Sequence, residues 1–376
     1  MNSLSIDDFA EHIDGLISLL QDLVGKESPS TDKHALDALG SFVAERMQSL
    51  GARVERYPQN EQGDHWMGTW GSGPGGILLL VHLDTVYPMG TLATMPWRQD
   101  GTHVYGPGCL DMKVSLAMAL TAIDRLIHTQ NMRADRTSLL CSSDEEIGSL
   151  SSRALIESQA QEHAVVLCLE PALPDGSLKT WRKGILNFQL EAVGRAAHAG
   201  SDIKAGTNAI VEIAHQIPAL LDLADDSADT TINPGVIQGG SRSNVVPDVC
   251  RLEVDVRAKT LAEGERVYQA IQNLEPALTG ASLHIEGGWN RPPMERDPLM
   301  QATFQRAAEI AARLGLILTE GGTGGGSDAN FVAGLGIPVL DGLGAIGKGA
   351  HSERERVEVG SLARRCALLA ALISDW

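Results

Sequence analysis

The sequence predicts an α/β fold, a mixed sheet flanked by helices, interrupted by an inserted ferredoxin-like α+β module. Three observations lead there. Ile77–Val81 and Ala164–Leu169 are short, continuous apolar runs of the kind that form central strands. Strand and helix patterns alternate through the first 180 residues, as a sheet with helices on its faces requires. From about Trp181 to Arg291 the order becomes β-α-β-β-α-β, the split βαβ arrangement. The expected organisation is therefore a main domain in two parts, 1–180 and 292–376, with 181–291 inserted between them.

Taken in order, helices are expected at Ile6–Val24 and Asp32–Leu50, the second stopped by Gly51. Strands Ala52–Tyr57 and Gly76–Val81, helix Met112–His128, strand Thr137–Cys141, helix Ser149–Ala160 and strand Ala164–Leu169 come next. In the inserted part, Ile185–Val193 alternates as a half-exposed strand and Gly206–Leu223 is helical. Strands near Thr231–Gln238 and Val249–Ala258, helix Leu261–Leu274 and strand Ser282–Glu286 complete it. After Arg291-Pro292-Pro293 come helix Pro298–Leu314, an apolar strand around Ile337–Leu340 and a final helix through Leu362–Ile373.

With 43% apolar residues the chain can bury a core, which excludes wholesale disorder. A formal charge of −18 argues against a nucleic-acid partner, which needs a basic footprint. Met1–Leu20 holds Asp7, Asp8, Glu11 and Asp14 and reads as an amphipathic helix rather than a signal peptide. No apolar run approaches the roughly 20 residues of a membrane span, so no membrane is expected as a partner. Five scattered cysteines without a CxxC pair suggest a reduced, cytoplasmic setting.

The candidate chemistry lies at strand ends. Ile77–Val81 runs into His82-Leu83-Asp84, and residues two apart share a strand face. The pair is either a strand-end histidine beside a turn-forming aspartate or a metal ligand held by a carboxylate. Asp111, between Gly106-Pro107-Gly108-Cys109-Leu110 and a helix, could cap that helix or bind metal. Glu145 and Glu146 come after a strand as either a solvated loop or a general base next to a ligand. Glu170 ends a strand too apolar to bury a carboxylate without a partner. His351 lies in the glycine-rich segment Gly349-Ala350-His351-Ser352. Together, His82, Asp111, Glu146, Glu170 and His351 suit a divalent ion such as zinc, cobalt or manganese. They are too many for one open tetrahedral ion and suit two ions sharing a carboxylate.

Gly321-Gly322-Thr323-Gly324-Gly325-Gly326-Ser327 lacks GxxxxGK[ST] and GxGxxG, so its glycines either offer amides to a substrate carboxylate or allow a tight crossing. Cys109, Cys141 and Cys168 read as small buried hydrophobes.

His82-Leu83-Asp84-Thr85-Val86, Asp111-Met112-Lys113, Asp144-Glu145-Glu146-Ile147-Gly148, Glu170-Pro171, Ala197-His198-Ala199-Gly200 and the His351 segment occur in one order. They resemble the di-zinc metallopeptidase family of glutamate carboxypeptidase, acetylornithine deacetylase and succinyl-diaminopimelate desuccinylase. The likeness spans nearly the whole chain and looks nearest to the glutamate carboxypeptidase (carboxypeptidase G-like) branch. It implies a zinc-exopeptidase-like catalytic domain with residues 181–291 as lid and dimerisation domain. It further implies that Asp111 bridges two metals, one also bound by His82 and Glu170, the other by Glu146 and His351. Asp84 would orient His82, Glu145 would be the general base, and His198 would stabilise the oxyanion from the partner subunit of a homodimer. Asn244, Arg257 and Arg291 match positions that hold a substrate carboxylate. Where some glutamate-releasing members place a lysine, this chain has Ser177.

The implied activity is hydrolysis of an amide bond that releases a C-terminal amino acid from a small molecule or short peptide with a free carboxylate. An N-acyl amino-acid deacylase would share every catalytic residue. A non-catalytic metal-binding scaffold would be expected to have lost Glu145 or a ligand, and all are present.

Overall fold

The computed structural model describes residues 4–133 and 135–376. It divides into two compact units: one runs to Thr180 and resumes at Arg296–Gly322 and Ser327–Trp376, the other comprises Trp181–Glu295 with Thr323–Gly326.

The first unit is built on a six-stranded mixed sheet. Its order is Arg53–Tyr57, His65–Trp70, Thr137–Ser142, Ile77–His82, Val165–Cys168 and Val339–Leu340. Ile77–His82, Thr137–Ser142 and Val165–Cys168 are buried at every position, the first and last as their apolar runs require, and the middle one although Thr137, Ser138 and Ser142 are polar. These three run parallel, with His82 opposite Ser142 and Leu80 opposite Cys168. Their C-terminal ends therefore reach one edge together, and the loops leaving them share that edge.

A small second sheet joins Arg98–Gln99, His103–Tyr105, Arg356–Glu358 and Gly347–Lys348. Its short strands carry no periodicity and are not foreseen from the sequence. Strand His65–Trp70 and helix Ala329–Gly334 are likewise additional to the expected elements. The expected helix Ile6–Val24 is instead two, Ile6–Ala10 and Ile13–Val24. At the break His12 leaves helical geometry (φ −110°, ψ 5°), and its ring Nδ1 lies 2.7 Å from the Asp8 carbonyl. The helix expected from Met112 begins at Val114, because Asp111 and Met112 have non-helical backbone angles.

The second unit is a four-stranded antiparallel sheet, in the order Thr231–Gly239, Val249–Ala258, Gly184–Val193 and Ser282–Arg291. Leu186, Phe188, Leu190, Leu252, Val254 and Val256 alternate onto its buried face. There they join Ile213 of helix Ala209–Leu221 and Val267 and Ile271 of helix Leu261–Gln272 in one core.

Behind the strand edge of the first unit, Gly344 allows two backbone segments to touch. Gly344 donates to the Glu170 carbonyl at 2.9 Å, and its own carbonyl accepts from the buried Arg365 Nε at 2.7 Å. A Cβ on Gly344 would lie 2.3 Å from Ser115 Oγ and 2.4 Å and 2.7 Å from the Leu169 and Glu170 carbonyl oxygens. Backbone on two sides cannot yield as a flexible side chain would. Gly344→Ala should therefore destabilise the protein by about 1–3 kcal/mol, as overpacking does, seen as a lowered denaturation midpoint. Gly360→Ala, which meets nothing within 4 Å, is the matched control and should leave the midpoint unmoved.

Candidate metal centre

His82 ends a central strand with its ring buried. Nδ1 lies 2.9 Å from the Asp84 carbonyl oxygen and 3.4 Å from Asp84 Oδ1. With Nδ1 donating there, Nε2 is the nitrogen turned outward, 3.2 Å from Asp111 Oδ1 and 3.7 Å from Glu170 Oε1. Asp84 is fully buried. Its Oδ1 accepts from Glu145 N at 3.2 Å, and its Oδ2 accepts from Glu146 N at 3.1 Å and Ser30 Oγ at 2.7 Å. One carboxylate thus fixes both the imidazole and the turn that carries the two glutamates.

Asp111 does not cap a helix. Its backbone is extended (φ −114°, ψ 95°), the following peptide is cis, and its carboxylate faces two imidazoles. Oδ1 faces His82, and Oδ2 lies 3.4 Å from His351 Nε2. That same nitrogen is 3.2 Å and 3.1 Å from the two oxygens of Glu146. His351 sits in the turn between strands Gly347–Lys348 and Arg356–Glu358 of the small sheet, which brings a C-terminal residue to the strand edge. Donor atoms of His82, Glu145 and Glu170 lie within 4.8 Å of one another, as do those of His82, Asp111 and Glu146.

The charge balance of this cluster calls for a cation. Burial opposes charge on His82, yet Asp111 and Asp84 outweigh it and hold the imidazole well above its ordinary value. His351 is pushed up to about 11 by Asp111 and Glu146. Burial works against ionised Asp111, but His351 and His82 hold it below the usual carboxylate range. Burial raises Glu146. Protons on the two imidazoles supply the positive charge that the acids demand, and divalent ions would supply it in their place, releasing those protons. The oxygen and imidazole donors, with no thiolate, fit hard to borderline divalent metals.

His198, Asn244, Arg257 and Arg291 belong to the second unit. His198 Nδ1 accepts from Gly200 N and Ser201 N, both at 3.1 Å, so the ring proton resides on Nε2. Asn244 is exposed, and its carbonyl accepts from Ala199 N. Arg257 grips Asp255 through Nε at 2.7 Å and one Nη at 2.9 Å. Arg291 is buried, and its Nη1 donates to Asn290 Oδ1 at 3.0 Å. The glycine-rich loop turns carbonyls to a cation: Arg182 Nη1 donates to Gly325 O and Gly326 O. A Cβ on Gly326 would lie 2.7 Å from Ile185 Cδ1, so Gly326 serves a tight crossing, whereas Gly324 and Gly325 have room for a side chain. Cys109, Cys141 and Cys168 are buried, and burial pushes the Cys109 and Cys141 thiols up.

Several supporting residues escape a sequence reading. Ser30 reaches Asp84 from 54 positions away. Asp144 accepts from Ser151 N, Ser151 Oγ and Ser152 N, closing the loop around the glutamates. Asp328 accepts from Ser142 and Ser149 across the same loop. Glu355, fully buried, accepts four hydrogen bonds from the segments around Tyr87 and Asp111, and burial pushes its carboxyl up to about 7. The one available signal was its place four residues after His351.

Residues 78–375 match the family described as Peptidase family M20/M25/M40. The chain is 32% identical over 372 residues to carboxypeptidase G2 of Pseudomonas sp. (strain RS-16), covering 96% of this chain and 89% of that protein. It is 27% identical over 325 residues to succinyl-diaminopimelate desuccinylase of Dinoroseobacter shibae, covering 78% and 82%. The fold matches the crystal structure of aminopeptidase PepT from Bacillus cereus with a TM-score of 0.78 at 22% identity, over 96% of this chain and 98% of that one. Strand-end acids and imidazoles in this family's order and fold lead to one conclusion: the chain belongs to the M20 metallopeptidase family and is a metal-dependent hydrolase of amide bonds.

Proposed function

We propose that His82, Asp111 and Glu170 hold one divalent ion and Asp111, Glu146 and His351 a second, with zinc the metal. The observation that carries this reading is Asp111, whose two oxygens face two different imidazoles. When bound, the ions supply Lewis acidity and bring a water's pKa toward neutrality. Glu145 is the general base: its carboxylate takes the proton of the attacking water and passes it to the leaving amine nitrogen. Asp84 positions Glu145 through the main-chain N–H and keeps His82 Nε2 available as a ligand. His198 is the oxyanion donor, a role that its Nε2 proton suits. Asn244, Arg257 and Arg291 bind the substrate carboxylate, Arg257 by exchanging its Asp255 partner for it. Glu145→Gln should retain both ions by elemental analysis while kcat falls by about 10²–10⁴-fold; near-normal turnover would remove Glu145 from this role.

The substrate is an N-acylated amino acid or short peptide with a free α-carboxylate, and release of a C-terminal glutamate is the first candidate, from the likeness to carboxypeptidase G2. A specific observation supports the second reading, a broader N-acyl amino-acid deacylase. Ser177 stands where some glutamate-releasing relatives carry a lysine, and it is buried with its hydroxyl 2.7 Å from Thr319 Oγ1. A panel of N-acyl glutamate, N-acyl neutral amino acids and dipeptides decides: preference for glutamate of tenfold or more in kcat/KM, about 1.4 kcal/mol, supports the first reading, and its absence the second.

The working state is a homodimer in a reducing, cytoplasmic setting. Strand Thr231–Gly239 lies at an edge of the second unit's sheet with Val236 and Ile237 exposed, and helix Ala209–Leu221 of that unit exposes Ile210 and Val211. Such an edge favours pairing with another copy. All five cysteines are buried and outside any disulfide. In sedimentation the wild type should run as a dimer and Ile237→Lys should shift toward monomer, since an edge lysine blocks strand pairing.

A further inference from the structure

Glu355 occupies a position that the hydrolytic chemistry does not use directly. It is fully buried in the first unit, four residues beyond His351. Both of its oxygens are doubly engaged. Oε1 accepts from Leu110 N at 2.7 Å and Asp111 N at 3.0 Å; Oε2 accepts from Gly108 N at 3.1 Å and the Tyr87 hydroxyl at 2.6 Å. Tyr87 Oη is also 3.0 Å from the Ser352 carbonyl. The turn that carries both His351 and Glu355 is closed by its own bonds, Ser352 N to Gly349 O and Glu355 N to Ser352 O, each 3.0 Å.

Three separate loops meet at this one carboxylate. One leaves strand Ile77–His82 and carries Asp84 and Tyr87; the second carries Asp111; the third carries His351. Asp111 is held from two directions by the third loop: Glu355 takes its main-chain N–H, while His351 faces its Oδ2 at 3.4 Å. A side chain that must present two oxygens to two ions tolerates little rotation of its backbone, and four convergent donors on one buried carboxylate supply that restraint. No metal donor group among the described residues includes Glu355 itself.

We propose that Glu355 is a positioning residue for the shared ligand Asp111, coupling the His351 turn to the Asp111 loop so that both ions are bound together. This rests on the two-ion reading above. The test uses the full chain loaded with cobalt and challenged with a graded series of chelator, following ions retained per chain and the visible d–d spectrum. Wild type should retain two ions. Glu355→Gln keeps the shape but turns an NH2 toward main-chain donors. It should lose one ion at about 10–100-fold lower chelator, the usual cost of disturbing a ligand's support. Its d–d bands should shift, and kcat should fall while KM stays near the wild-type value. Tyr87→Phe removes one donor from Oε2 together with the hydroxyl's contact to the Ser352 carbonyl, and leaves the three main-chain donors to Glu355 in place. It should therefore move ion retention and spectrum in the same direction by less, whether or not Glu355→Gln folds. A folded Glu355→Gln protein, or a Tyr87→Phe protein, with wild-type retention and spectrum overturns the proposal. Wild type that binds fewer than two ions overturns the two-ion reading instead, whatever the variants do.

Discussion

Asp84, Asp111, Glu145, Glu146 and Glu170 converge on one edge of a buried sheet, and like charges so placed repel. At 4 Å and an effective dielectric of 20, each pair of unit charges costs about 4 kcal/mol. Such a cluster holds together only with positive charge among the acids, and much of the first unit serves to place that charge. Parallel register brings the ends of Ile77–His82, Thr137–Ser142 and Val165–Cys168 to one edge. Asp84 ties His82 to the glutamate turn, and the small sheet returns His351 to face Asp111 and Glu146. The imidazoles balance the acids as protonated groups or, in the proposed loaded state, as ligands to ions that do so more strongly. The same geometry therefore favours metal uptake and lowers the repulsion of the acids for one another.

Neutral hydrogen bonding carries the rest of the load. Asp84, Asp144, Asp328 and Glu355 are all buried, and each is met by serine hydroxyls, a tyrosine hydroxyl or main-chain N–H groups. A buried carboxylate is costly unless hydrogen-bonded; in Asp144 the bonds gather on Oδ2, and Oδ1 has no hydrogen-bond partner among the described residues. This arrangement restrains the loops that carry Asp111, Glu145 and Glu146. Serine is accordingly frequent around the glutamate turn, at Ser142, Ser143, Ser149, Ser151 and Ser152.

The central strands were legible because each announces itself locally, whereas the candidate ligands, each open to a bland reading alone, became legible only when taken together. An unbroken apolar run ending in His82 or Glu170 can be read from a few residues. What escaped lacked any local signature. His65–Trp70 is a buried strand, yet Gly68 sits in its middle and lowers its β character. The structure shows why the glycine is there: a Cβ would lie 2.5 Å from Met47 Sδ of helix Lys33–Ser49. The two- and three-residue strands of the small sheet are too short for alternation to register, so the meeting of His351 with Asp111 was expected from resemblance and not from pattern. Glu355 and Asp328 were hidden for a related reason. Their partners lie between 179 and 268 positions away, and an isolated acid in a loop has no spacing to betray it.

The formal charge of −18 bears on how a substrate arrives. An acidic exterior repels a ligand with a free carboxylate, and a centre whose acids outnumber its two protonated imidazoles adds to that repulsion. Two divalent ions in the proposed sites contribute four positive charges where five acids meet, bringing the centre close to neutral while the exterior stays acidic. A bound ion is the largest local charge in such a site and reverses its electrostatics. Metal loading would then govern substrate attraction as well as chemistry. The two effects separate by ionic strength: screening at about 10 Å in 0.1 M salt weakens the long-range repulsion of the exterior and leaves contacts among the buried acids, imidazoles and ions almost untouched.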